Sequence, residues 1–160
     1  MYQTNGVVLK KTNVGETDAV FIIYTKDFGK IQARAQGIKK ENAKLKGHLE
    51  PMSLSSISFV LGKNGERLVG ASLINYWFSI RSDWDKLKTA SYIIEVVDKH
   101  CLPGDKNESL WELLVGSLVA LEKGDFSAKE LTGFLGAFEE KFLASLGYAG
   151  EKDIRMLENI

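Results

Sequence analysis

The hydrophobic period of the chain changes once, and that change constrains the fold more than any other feature. Up to about residue 75, apolar residues come in short runs or alternate with polar ones. Beyond it they recur every third or fourth position. Successive side chains of a strand point to opposite faces, whereas a helix returns to one face after about 3.6 residues. The sequence therefore predicts a β half followed by an α half, divided at Ile80 into parts 1–80 and 81–160.

Five short strands are expected in the first part. Val7-Val8-Leu9 forms the first, with Lys10 and Lys11 leaving it into the loop NVGETD. Ala19 to Tyr24 is β-branched and aromatic, hence a buried strand. Lys26-Asp27-Phe28-Gly29-Lys30 forms a turn in which Gly29 supplies positive φ. Ile31 to Gly37 alternates strictly, and small Ala33 and Ala35 on the inner face suit a strongly curved sheet. Residues 38–47, IKKENAKLKG, have no strand period and read as a mobile basic loop, with room for a helical turn. Ser53 to Leu61 alternates again, with one break in phase between Leu54 and Ile57 that predicts a bulge. An Asn64-Gly65 turn leads to a fifth strand, Arg67 to Ala71. Five strands with a long connection after the third fit a closed barrel of the OB type, with an SH3-like barrel as the main alternative.

The second part reads as an antiparallel bundle with short connections. Ser82-Asp83-Trp84-Asp85 resembles a capping box with Ser82 as N-cap. Trp84, Leu87, Tyr92, Ile93, Ile94, Val97 and Cys101 form its apolar stripe, and Leu102-Pro103-Gly104 stops it. Asn107 caps a second helix carrying Leu110 to Leu121 and ended by Gly124. Ser127 with Glu130 boxes a third, from Leu131 to Leu146, which stops at Gly147. A last short helix is expected from about Glu151. The fold class is thus α+β: an N-terminal five-stranded OB-type barrel, then a small helical bundle.

Charge separates along the same division. The 160 residues hold 21 basic and 21 acidic side chains. Residues 1–80 contain eleven bases and six acids, a net of +5, so residues 81–160 carry ten and fifteen, a net of −5. Seven bases lie between Lys26 and Lys46, opposed only by Asp27 and Glu41. Six of the seven are lysines, point charges suited to sequence-blind phosphate contact rather than bidentate base reading. A solvated charged loop is the plainer reading of such a run; the barrel context favours nucleic acid, with Tyr24 and Phe28 as stacking candidates.

Signals for chemistry are sparse. No P-loop, G-x-G-x-x-G, H-E-x-x-H or nucleophile elbow occurs. Adjacent His100 and Cys101 diverge by about 100° on a helix, and Cys101 continues the apolar stripe, so a structural thiol is expected. His48, at the end of the basic loop, is read as a phosphate contact or a solvated side chain. Glu139-Glu140 falls on an exposed helix face. The tryptophans of the helical part, Trp111 included, are assigned to its core, with a partner-binding groove as the alternative at Trp111. One cysteine allows neither an internal disulfide nor a Cys-based zinc site. The start, MYQTNGVVLKK, does not read as a signal peptide, and no apolar run spans a bilayer, so the expected address is the cytoplasm without a membrane partner.

The order of these pieces resembles the RecO family of bacterial recombination mediators. GVVLKKTNVGETDAVFIIYTKDFGKIQARAQGIKK is similar to the family's opening: a strand, G-E-[ST]-D, a strand ending in T, a D-x-G-K turn, then A-x-G and a basic pair. KLKGHLEPMSLSSISF resembles its K/S-rich loop, L-x-P and fourth strand. SYIIEVVDKHCLPGDKNESLWELLVGSLVALEKGD and GAFEEKFLASLGYAG resemble its helices, the latter with F-x-x-x-x-L-x-x-x-G-Y.

The resemblance implies a non-enzymatic, cofactor-free protein associated with the nucleoid. Such a protein binds single- and double-stranded DNA without sequence specificity and anneals strands. It also engages the C-terminal tail of single-stranded DNA-binding protein (SSB), and loads RecA with RecR. On the family pattern the implied DNA contacts are Lys10, Lys11, Lys30, Arg34, Lys39, Lys40, Lys44 and Lys46. Members usually continue past G-Y into a zinc-ribbon-like insert with C-x-x-C pairs. None is present here, so the chain is expected to be either a compact form or a truncated one, with no zinc site assigned and part of the SSB-tail groove in question. The alternative is an OB-fold protein-interaction module, or a general single-strand-binding protein without mediator activity.

Overall fold

The structure, a computed structural model, describes residues 1–40 and 43–147; the helix expected from about Glu151 lies outside the described residues. The described chain is α+β: β1 (Tyr2–Val14), β2 (Asp18–Thr25), β3 (Gly29–Ala35), β4 (Leu54–Gly62) and β5 (Gly65–Asn75), then α1 (Phe78–Ser82), α2 (Trp84–His100), α3 (Glu108–Lys123) and α4 (Ala128–Ser145). It divides into two compact units. Met1–Tyr76 with Val97–Lys106 forms one, and residues 77–96 with 107–147 form the other.

The strands close into a barrel in the order β1-β2-β3-β5-β4, with β3 and β5 in short parallel contact. This five-stranded Greek-key closure is the OB arrangement rather than the SH3-like alternative. Side-chain sizes show why it closes so tightly. Ala19 faces Ala35 and Phe21 faces Ala33 across β2–β3, and all four are fully buried. The large inward ring of Phe21 thus meets a small partner.

Strand lengths differ from the expectation. β1 does not stop at Leu9 but continues through Lys10 and Lys11 to Val14. Its register against β2 shifts between Val8 and Lys10, which makes Leu9 the extra residue of a bulge. The expected break in phase near Leu54 is a shift between Leu54 and Ser55, accompanied by a second between Ser58 and Phe59. In both the extra residue sits on β5, at Ile74 and Val69, and both side chains are exposed.

The described residues of the basic segment after β3 include the turns for which the sequence left room. These turns are closed by backbone hydrogen bonds (Lys40 N–H to Gly37 O, 3.1 Å; Lys46 N–H to Ala43 O, 3.2 Å; His48 N–H to Leu45 O, 3.2 Å). Ile38 and Leu49 are buried in the barrel core, and Leu45 packs against it. The apolar residues interspersed among the lysines hold the segment down.

The β2–β3 turn is fixed by Thr25, whose hydroxyl donates to Gly29 O at 2.7 Å and accepts from Phe28 N–H at 2.9 Å. Residues 97–106 belong to this unit. Gly104 N–H donates to Lys30 O at 2.9 Å. The Lys30 ammonium donates to Asp98 O at 2.6 Å and pairs with the Asp98 carboxylate at 3.1 Å.

In the helical unit the expected caps at Asn107 and Ser127 are present. Asn107 Oδ1 accepts from Leu110 N–H at 3.0 Å, and Ser127 with Glu130 forms a full capping box. The first cap is displaced by one residue. Ser82 ends α1, donating to Phe78 O at 2.8 Å, and Asp83 accepts from Asp85 N–H at 3.1 Å and Lys86 N–H at 3.3 Å. The short α1 was not expected; Glu122 of α3 accepts from its Ser79 and Ile80 N–H groups at 2.8 and 2.9 Å. Trp111 is core at 8% exposure, whereas Trp84 is 70% exposed and lies outside the stripe assigned to it.

Gly29 carries two constraints: φ of +65°, and a position where an added Cβ would lie 2.6 Å from the Asp105 backbone. Gly15 has φ of +62° with open space around it. Gly29→Ala should lower stability by about 2–4 kcal/mol in urea titrations, against about 1–2 kcal/mol for Gly15→Ala. Equal losses would remove the close approach of Asp105 as a constraint on this turn.

Candidate nucleic-acid interface

The bulge at Leu9 decides where the two β1 lysines go. Cross-strand partners share a face of the sheet. Lys11 is paired with inward-facing Phe21, and its ammonium lies 6.0 Å from the centre of that ring. It therefore projects over one end of the barrel. Lys10 is paired with Ile22 on the outer face. Both are exposed.

At the same end, Lys11, Asn13, Lys39 and Lys46 line a cleft of about 260 Å³ with Ile38, Leu45 and Leu49 beneath. Glu50 is the carboxylate among its lining residues. Lys39 is half-buried and fastened, its ammonium donating to Gly15 O at 2.8 Å and its N–H to Thr17 O at 3.0 Å. Lys40 and Lys44 are exposed on the same segment. Among the described residues Lys10, Lys11, Lys40, Lys44 and Lys46 make no ion pair within 4 Å.

Two of the eight predicted contacts have carboxylate partners. Lys30 is held by Asp98 and by carbonyls at the end of α2, leaving its side chain 16% exposed. Arg34 grips Asp18 through Nε at 3.2 Å and Nη2 at 2.7 Å. The stacking candidates divide as well: Tyr24 is buried at 1% exposure, while Phe28 joins an aromatic cluster with Tyr2 and Phe59. Neither Asn13 nor that cluster was singled out from sequence. The signal for the cleft floor was there in Ile38, Leu45 and Leu49, three apolar residues in an otherwise basic run.

His48 is half-buried. Its Nδ1 accepts from Leu73 N–H at 3.1 Å and its carbonyl accepts from Ser55 Oγ at 2.6 Å, tying the basic segment to β4 and β5. Burial pushes the Cys101 thiol up to about 11, so it is held protonated. Burial first, and Lys99 second, depress His100. Among the described residues no group of three or more His, Cys, Asp or Glu is placed to hold a metal ion. No helix among them is long and apolar enough to cross a membrane.

A lysine-bearing OB barrel followed by helices is thus in place, and comparison with known proteins agrees with it. Residues 1–77 match the model described as Recombination protein O N terminal, and residues 81–151 that described as Recombination protein O C terminal. The chain belongs to the RecO family. It is 32% identical over 158 residues to a DNA repair protein RecO of Syntrophus aciditrophicus, covering 98% of this chain and 60% of that one. It is 33% identical over 150 residues to one of Dehalococcoides mccartyi, covering 94% and 58%. Against one of Acetivibrio thermocellus the figures are 29% over 147 residues, 92% and 57%. The chain thus spans about 60% of the length of the curated relatives it matches.

Asp18 anchors the start of the basic segment. Gly37 N–H donates to it at 2.8 Å, and with Arg34 this holds its carboxyl at about 2, below the ordinary 3.8. The fold favours the ionised form, so the stabilisation is complete above pH 3.8 and lost as pH falls toward 2. Thermal melts at stepped pH should show wild-type stability falling across that window more steeply than Asp18→Asn. Parallel curves would mean that the contact contributes nothing.

Proposed function

We propose that the chain acts in DNA repair as a recombination mediator, holding DNA by its backbone on the lysine-bearing end of the barrel. The observation that carries this reading is the gathering of Lys11, Lys39 and Lys46 around one cleft, with Lys40 and Lys44 exposed on the same segment. Each phosphate neutralised by an ammonium releases condensed counterions, which drives binding without regard to sequence. Lys10 extends the contact along the outer face of β1. Lys30 and Arg34 act structurally, because each already has a carboxylate partner.

Annealing needs only charge neutralisation and loose holding of two strands, both single- and double-stranded DNA being bound. No turnover is involved: the thiol is protonated, and His48 spends its Nδ1 on the backbone. The barrel unit, Met1–Tyr76 with Val97–Lys106, is the DNA-facing part and the helical unit the part that meets protein partners. RecR and the SSB C-terminal tail are the proposed partners, for loading RecA in the cytoplasm at the nucleoid. A groove of about 650 Å³ along α3 and α4 supports the second, since Leu113, Phe134 and Phe138 line it with exposed Lys141. An apolar tail ending in a carboxylate matches that chemistry.

Strand annealing with SSB-coated single strands tests the reading. Reversal of Lys39, Lys40 and Lys44 to Glu should reduce annealing at least tenfold and flatten the log–log salt dependence of single-strand binding by about two. Lys30→Ala should lower stability while leaving that slope unchanged. Equal annealing by wild type and the triple variant would overturn the assignment of the lysines.

A further inference from the structure

The barrel has a second opening, chemically unlike the lysine cleft. At the Tyr2 end a groove of about 710 Å³ is lined by Tyr2, Phe28, Phe59 and Leu61. The three rings form one cluster with centroids 5.4 Å apart: Tyr2 stacks on Phe59 at 24°, and Phe28 stands edge-on to both at 79° and 86°. Phe59 is 3% exposed, but Tyr2 is 42% and Leu61 65% exposed. One face of the tyrosine is therefore backed by a buried ring while part of the side chain meets solvent. A ring held this way loses little freedom when something stacks on it.

The uncommitted charge lining this groove is not basic. Asp27 and Glu66 line it with Lys106, and the Lys30 ammonium beside them is committed to Asp98. Such a groove attracts no phosphate, but its Gln32 amide and Glu66 carboxylate suit the amino and carbonyl edges of nucleobases. Tyr2 and Lys11 stand nine residues apart on β1, roughly 30 Å of strand. That separation suits the ~4–16 nucleotides that one OB fold covers.

We propose that the Tyr2 groove is a stacking subsite for unpaired nucleobases of a single strand whose phosphates lie on the lysines at the other end. This rests on the DNA-binding reading above and adds a second contact of a different kind. A duplex keeps its base faces covered, so the groove selects single strands, while the lysines bind either form.

The test uses the full chain and fluorescence anisotropy with three ligands: oligothymidine long enough to span both ends, an abasic strand of the same length, and a hairpin duplex. Wild type should bind oligothymidine more tightly than the abasic strand. Tyr2→Ala and the packing-conservative Tyr2→Leu should each weaken oligothymidine binding by roughly five- to tenfold. Both should leave the other two ligands within about twofold and the salt slope unchanged, and Tyr2→Trp should restore affinity. Unchanged oligothymidine binding, or equal weakening for all three ligands, overturns the subsite. Reversal of Lys39, Lys40 and Lys44 reports on the other end, because it should weaken all three ligands together. Failure of wild type to bind any of them overturns both readings.

Discussion

Burial of Ile38, Leu45 and Leu49 against the end of the barrel is the interaction on which the rest of the candidate interface depends. A run of lysines has no reason to hold a shape: its charges repel, and each ordered side chain costs conformational entropy. Here the apolar residues between the lysines are drawn into the same core as Phe21 and Ile23, and the ammonium groups follow. Asp18 secures the start of the segment through Gly37, and His48 secures its end through Leu73 and Ser55. The positive charge is thus displayed on a scaffold instead of being trailed in solvent.

The charge excess of the first half takes on a sharper meaning in this light. Counted by sequence it is +5. Counted by position, Arg34 is neutralised by Asp18 and Lys30 by Asp98, both structural pairs. The excess therefore falls on β1 and on the segment after β3, close to one opening. The other opening is aromatic and near neutral, so one small barrel presents two chemically different ends.

The sequence made the barrel, its alanine-lined inner face and the caps at Asn107 and Ser127 legible because each rests on local pattern. Alternation, a hydroxyl or amide before an apolar run, and a glycine in a turn all act within a few residues. What it concealed was set by partners far away. Nothing near Lys30 reveals Asp98, nothing near His48 reveals Leu73, and nothing near Ser79 reveals Glu122. Bulges were hard to place for a related reason, since register belongs to a pair of strands; the phase break visible near Leu54 has its extra residue on β5. Trp84 misled because a helical stripe gives a direction and cannot say whether anything lies there to cover it.

The clasp between β3 and residues 97–106 has a consequence for the order in which the chain acquires structure. Lys30 and Asp98 are 68 residues apart, and the backbone of Asp105 closes over Gly29. All five strands emerge from the ribosome before either partner residue does. During that interval the β2–β3 turn is uncovered and the Lys30 ammonium has no carboxylate beside it. Contacts of long sequence separation form late. The clasp is therefore completed only after most of α2 has been made, and a fragment cut at residue 80 would keep the strands but lose this fastening.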